Sequence, residues 1–210
     1  DGSSGVQSHN RLPYLYAKTI YDAMADACHG TGRVPMLWSR SGYAGQQTIP
    51  AVWAGDSGVL AADHAALLHS GLSLALCGVC FWGFDLGGFY YTAPTGDEHL
   101  PPEEDYLQSM ILGLAMPLSR AHGKSAREPW KYSSRVLESV QKYNNLRHAL
   151  RPYLYGLSLL AKRDSIPLLR PLFMEYPHDI QARHETLSYM LGDCFLIAPA
   201  FDREKYAVYL

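Results

Sequence analysis

The chain has 210 residues, 48% of them apolar, and its 18 Lys plus Arg nearly balance 20 Asp plus Glu for a net charge of -2. That composition fits a soluble globular protein with a core of its own and excludes a disordered chain. No basic run offers the electrostatic footprint that DNA, RNA or an anionic membrane requires, and the longest apolar stretches, such as Gly71 to Trp82, are too short and too interrupted to cross a bilayer, so no nucleic acid and no membrane is expected as a partner.

The opening DGSSG lacks a Met and reads as the inside of a longer protein. From Asn10 to Cys28 the residues Leu12, Tyr16, Ile20, Ala23 and Ala27 recur at helical spacing, with Asn10 placed to cap and Pro13 tolerable in the first turn. Val34 to Ser39 follows as a strand candidate, Ala51 to Trp53 as a short second one, and Asp63 to Ala75 as a helix with Leu67, Leu68, Leu72 and Ala75 on one face. Cys77 to Trp82, uniformly apolar, is the third strand candidate and has the look of a parallel strand covered on both faces.

The four cysteines, Cys28, Cys77, Cys80 and Cys194, are too few and too scattered for a disulfide framework. Cys77 and Cys80 form a C-x-x-C, but no second ligand pair matches it for zinc and it does not open a helix as a redox motif would. They read as core thiols.

Gly83 to Pro102 is a long, turn-rich loop of the kind that carries binding residues on a rigid scaffold. A helix is expected from Glu103 to Met116, and a longer one from Ser134 to Lys162 that Pro152 should kink. Ile166 to Met174 is the fourth strand candidate, and the run Cys194 to Ala198 begins something new. Repeated strand-then-helix order indicates an α/β fold with a parallel sheet, and chemistry at several strand ends favours a barrel. With about four strands visible against the eight of a closed barrel, the chain reads as the C-terminal half of a (β/α)8 TIM barrel. Residues 1–187 form that partial barrel, and 188–210 open a β-sandwich domain.

The segment LWSRSGYAGQQTIPAVWAGD, Leu37 to Asp56, sets an Arg, a Trp and an Asp into an apolar, Gly-punctuated frame. Arg40 and Asp56 each follow a short apolar run where a strand emerges into a loop. Asp85, in FWGFDLGGF, is a second carboxylate at a strand exit. Two such carboxylates suggest glycoside hydrolysis, in which one carboxyl donates a proton to the leaving oxygen and another attacks or activates water. The aromatic faces of Trp53, Trp82 and Phe89 suit the apolar faces of a sugar ring, while Arg40 and His122 can donate to its hydroxyls. An Asp in a Gly-rich turn is also an ordinary turn former. The nine histidines form no ligand pattern such as H-E-x-x-H. No metal ion is expected.

Over nearly its whole length the chain resembles family 31 of the glycoside hydrolases, the retaining α-glucosidases and α-xylosidases. RSGYAGQQTIPAVWAGD is similar to the family segment whose first Arg binds substrate and whose closing Asp is the general acid/base, which implies those roles for Arg40 and Asp56, with Trp53 lining the sugar site. FWGFDLGGF resembles the next strand and loop and implies a supporting role for Asp85 beside Trp82, with Phe89 packing at the sugar subsite. LSRAHG resembles the R-x-H segment, which makes His122 a hydroxyl ligand and Arg120 its structural neighbour. LRHALRPYLYGL and YMLGDCFLIAPAF resemble two further segments, and DGSSGVQSHNRLPYLY and SRAHGKSAREPWKY are most similar to the bacterial α-xylosidase branch. Two departures stand out: Phe84 occupies a position commonly held by His in that branch, and the W-x-D-x-x-E-like segment with the nucleophilic Asp is absent.

The resemblance therefore implies a retaining α-glycoside hydrolase acting on terminal α-linked xylosyl or glucosyl residues, with Asp56 working against a nucleophile outside these 210 residues. An oligosaccharide or glycoside is the expected partner, no metal or organic cofactor is needed, and assembly of the full-length enzyme into a homo-oligomer stays open. An α-transglycosylase on the same scaffold and a catalytically inactive carbohydrate-binding protein are the alternatives. The isolated piece is expected to fold poorly and to be inactive, because half a barrel leaves strand edges open.

Overall fold

The computed structural model describes residues 2–91, 100–201 and 207–209. Part of the long loop expected at Gly83 to Pro102, residues 92–99, lies outside the described residues. In chain order the helices and strands are α1 (Gly5–Ser8), α2 (Arg11–Cys28), β1 (Val52–Trp53), α3 (Ala61–Leu76), β2 (Trp82–Gly83), β3 (Asp85–Leu86), α4 (Glu103–Leu114), β4 (Arg120–Ala121), α5 (Ser134–Ala149), α6 (Arg151–Asp164), β5 (Leu169–Pro171), α7 (Leu172–Glu175), α8 (Ile180–His184), β6 (Tyr189–Leu191) and β7 (Phe195–Ile197).

The first half of the chain is a parallel wall built strand by strand. Ser39 bridges to Val52, β1 pairs with β2, and β3 pairs with β4, all parallel. A single residue, Phe84, separates β2 from β3, so the run Trp82 to Leu86 faces β1 on one side and β4 on the other. Helices α3 and α4 return the chain between these strands, which is the repeating unit of a (β/α)8 barrel. α4 opens with Glu103, Glu104 and Asp105 at the positive end of its dipole. Its far end is capped from α5, where the Arg147 guanidinium donates to the carbonyls of Leu114, Met116 and Pro117 at 2.8, 2.7 and 3.0 Å.

One core runs through wall and helices, with Leu68, Trp82, Phe84, Leu86, Tyr106, Met116 and Val136 almost wholly buried. Trp82 fits because position 71 of α3 is glycine: a Cβ there would lie 2.5 Å from the indole ring. By contrast α2 buries only Ala17, and its Leu12 and Tyr16 are exposed. The apolar stripe expected on this helix has no partner surface among the described residues.

Several elements differ from the sequence reading, each for a local reason. Asn10 precedes α2 but its side chain makes no capping bond. In the Val34 to Ser39 run only Ser39 pairs, and the Cys77 to Trp82 run forms strand only at Trp82, because Cys77 ends α3 and Gly78 turns at φ +84°. The four cysteines are exposed or half-buried, so they are not core thiols; Cys77 and Cys80 occupy that helix-to-strand turn. The long helix expected from Ser134 to Lys162 is two helices meeting at Leu150, with Pro152 in the first turn of the second, where its missing N–H costs nothing.

The Ile166 to Met174 run is not a parallel barrel strand. Only Leu169–Pro171 is extended; it pairs antiparallel with β6, β6 pairs antiparallel with β7, and Pro171 hands the chain to α7. This three-stranded sheet rests on α3 through β5. It is pinned inside by Arg170, whose Nη1 reaches Asp193 at 2.6 Å and Glu175 at 3.0 Å.

Candidate active site

The residues singled out in the sequence converge where the parallel strands give way to loops. After β1 the chain turns at Gly55, whose φ of +79° is a conformation that favours glycine. A second constraint holds there, since a Cβ at position 55 would lie 2.9 Å from Arg40 Nε. The Arg40 side chain thus lies across the turn, with Nη1 3.4 Å from Asp56 Oδ1 and its guanidinium 5.7 Å from the Trp53 ring centre. Asp56 presents 37% of its side chain to solvent.

Beside it sits an ion pair between a buried carboxylate and a partly exposed guanidinium. Asp85 and Arg120 are register partners on β3 and β4, so their side chains leave the sheet on the same face and meet at 2.5 Å. Asp85 is 0% exposed and its Oδ2 has no partner among the described residues. Burial pushes its carboxyl above the usual range, against the pull of Arg120 and the nearby His122, while the negative charge of Asp56 adds to the rise. The Arg120 guanidinium lies over two indoles, 4.7 Å from the Trp38 ring centre and 4.8 Å from that of Trp53. Two cation–π contacts help hold it in place.

The loop after β3 brings Phe89 to His122, the two ring centres 5.6 Å apart and tilted by 38°. Gly88 makes this approach possible: at φ +73°, an added Cβ would strike the Val59 side chain at 2.6 Å. The amides of Phe89 and Tyr90 then both donate to the carbonyl of Ser57, at 2.9 and 3.3 Å, which ties the Phe89 loop to the residue following Asp56.

Arg40, Trp53, Asp56, Asp85, Phe89, Arg120 and His122 therefore form one neighbourhood, exposed and half-exposed groups gathered around the buried Asp85. Trp82 faces away. It is 1% exposed and packs on Phe84 and Gly71, so its place is in the wall and its ring offers no face to a sugar. The sequence reading missed Trp38, two residues before Arg40, and Arg127, whose buried side chain reaches the Phe89 loop. The aromatic before Arg40 and the lone Arg after RAHG were the available signals. Among the described residues no group of three His, Cys, Asp or Glu side chains is placed to hold a metal ion, and no helix is long and apolar enough to cross a membrane.

An acid at a Gly turn, an Arg–Asp ion pair and an aromatic–imidazole pair gather at the ends of the parallel strands, and comparisons with known proteins identify the family. The chain belongs to the glycosyl hydrolases of family 31: residues 1–157 match the family's TIM-barrel domain and residues 165–210 its C-terminal domain. It is similar to the "Alpha-xylosidase" of Emericella nidulans, 35% identical over 205 residues that make up 97% of this chain and 25% of that protein. It is also similar to the human "Neutral alpha-glucosidase AB", 31% identical over 211 residues, 97% of this chain and 21% of that protein. Among solved structures, a GH31 family sulfoquinovosidase from E. rectale in complex with the aza-sugar inhibitor IFGSQ superposes with a TM-score of 0.87 at 28% identity, covering 100% of this chain and 32% of that one. The chain spans about a quarter of the length of these curated relatives.

Proposed function

We propose that the full-length protein carrying this chain is a retaining α-glycosidase that removes terminal α-linked xylosyl or glucosyl residues, with Asp56 as its general acid/base. The observation that carries this reading is the placement of the Asp56 carboxyl beside the Arg40 guanidinium at 3.4 Å, in the same neighbourhood as His122 and Asp85. The names of the relatives support the substrate class.

In this scheme a sugar stacks on Trp53 and Phe89, and Arg40 and His122 donate hydrogen bonds to its hydroxyls. A carboxylate from outside these 210 residues attacks the anomeric carbon as Asp56 gives its proton to the departing oxygen. Asp56, now a carboxylate, takes a proton from water as the water oxygen bonds to the anomeric carbon and the bond to the nucleophile breaks, which frees the sugar with its configuration retained. Double displacement of this kind requires the two carboxyls about 5 to 5.5 Å apart.

The test is Asp56→Ala in the full-length enzyme, assayed on an unactivated disaccharide and on an aryl glycoside with a good leaving group. The disaccharide reaction falls by about 10²- to 10⁴-fold, the contribution typical of a general acid, and the aryl reaction falls far less. Equal losses on both substrates contradict the acid role. Product analysis with an added acceptor sugar separates hydrolysis from transfer.

A further inference from the structure

Arg127 has no part in the sugar contacts set out above, yet it is 5% exposed and heavily bonded. Its Nε donates to the carbonyl of Gly88 at 2.6 Å and its Nη2 to that of Phe89 at 3.3 Å. Nη1 donates to Ser125 Oγ at 2.6 Å and to the carbonyl of Ala126 at 3.0 Å. The backbone of Arg127 is itself anchored, because Tyr106 donates its hydroxyl proton to the Arg127 carbonyl at 2.7 Å. Two glycines make room for the side chain. A Cβ at Gly87 would stand 2.8 Å from Arg127 Cδ, and one at Gly123 would stand 2.7 Å from Arg127 Nε.

We infer that Arg127 is a positioning residue, a guanidinium clasp that fixes Phe89 against His122 and, through Ser57, holds the Phe89 loop to the Asp56 turn. The chain of bonds is continuous. Arg127 grips the carbonyls of Gly88 and Phe89; the Phe89 carbonyl also accepts from the amide of Lys124, two residues beyond His122, at 2.8 Å; and the Phe89 and Tyr90 amides close onto Ser57. Only a planar fork of fixed N–H donors can serve these acceptors at once, and a Lys ammonium cannot. The inference rests on the sugar-processing reading of the site for its kinetic consequence.

The experiment compares the full-length enzyme with its Arg127→Lys variant, using Arg147→Lys as a matched control. Arg147 also makes guanidinium-to-carbonyl bonds, but at the opposite, strand-entry end of the wall. Both variants lose thermal stability, but Arg127→Lys alone lowers kcat/KM per folded molecule, by about 10- to 100-fold, the range that small misplacements of binding groups produce. In a Phe89→Ala background the same change costs severalfold less, since the group it positions is gone. Wild-type kinetics in Arg127→Lys, or losses that multiply independently of Phe89, overturn the inference. If Arg127→Lys does not fold, Ser125→Ala weakens the same clasp and raises KM about threefold, whereas an unchanged KM overturns it. Hydrogen exchange over residues 85–91 gives a readout free of activity: it quickens in Arg127→Lys and not in Arg147→Lys. A full-length wild type inactive on every α-glycoside sinks the functional reading while this exchange comparison still decides the role of Arg127, and equal exchange in the two variants sinks that role.

Discussion

Asp85 and Arg120 stand opposite each other in the parallel ladder of β3 and β4, and their side chains meet at 2.5 Å on one face of it. Strand register, and not loop conformation, sets this contact. The site therefore has a rigid floor among its turns.

Arg120 is held by more than its charge, because its flat guanidinium makes cation–π contacts with both Trp38 and Trp53. Arg120→Lys keeps the charge and loses the stack and the fork, so it lowers stability by about 1–2 kcal/mol and frees the Trp53 ring. Chemical denaturation of the full-length protein reads the first effect, and a rise of about tenfold in KM reads the second. A variant with unchanged KM removes Arg120 from the support of Trp53.

Asp85→Asn separates stability from activity. In the wild type the folded state holds the Asp85 proton to higher pH than the unfolded chain does, where the ordinary value is 3.8, so this group favours folding at acid pH and costs stability once pH has risen through its folded value. Asparagine keeps an acceptor for Arg120 and carries no charge. The variant is expected to be at least as stable as the wild type at pH 7, with its relative advantage shrinking as pH falls through the raised folded value toward 3.8, while kcat/KM drops about 10²-fold as the floor shifts. Melting curves across that pH span decide the first half and turnover the second.

Gly55→Ala places a methyl group against the Arg40 guanidinium and forces an L residue to φ +79°. The strain is about 1–2 kcal/mol. Since Arg40 must move, the fall in activity should appear mainly as a higher KM, about tenfold, with kcat less affected. Loss of kcat at constant KM would place Arg40 outside ground-state binding.

His64 supplies an acid-sensitive site in the core. It is wholly buried, its two ring nitrogens have no partner among the described residues, and it packs against Phe84 and Phe201 at ring-centre distances of 6.0 and 6.4 Å. Burial pushes its pKa down to about 4, only partly opposed by Asp63. As pH falls from about 6.5 toward 4 the unfolded chain takes up a proton that the folded chain refuses, so stability is lost over that window, about 2 kcal/mol by pH 5. His64→Leu removes the titration and the unpaired nitrogens. Its melting temperature should exceed that of the wild type by more at pH 5 than at pH 7, and parallel curves would rule this out.

How much of this was legible in the sequence depended on the range of the forces involved. Arg40, Asp56, Asp85 and His122 stood out because charged side chains at the ends of apolar runs and beside Gly turns are local signals. Trp38 and Arg127 did not, since their partners are set by strand neighbours and by a loop 38 residues away in sequence. The helices Asp63 to Ala75 and Glu103 to Met116 were readable from periodicity to within a few residues. The strands were overextended, because an apolar run such as Leu74 to Trp82 has the same composition whether it ends a helix, makes a turn at Gly78 or enters a ladder. Ile166 to Met174 misled for a related reason: its apolar content suits any buried strand, and only the pairing with β6 fixes its direction.

The rings of Phe201 and Phe84 both contact His64, so the segment that follows β7 and the parallel wall share one packing site. A relative's C-terminal sheet transplanted onto this wall would bring its own residue to the place of Phe201, and the misfit would be passed along Phe84 to the carboxylate beside it. Recombination at this junction would succeed only where both sides of the stack travel together.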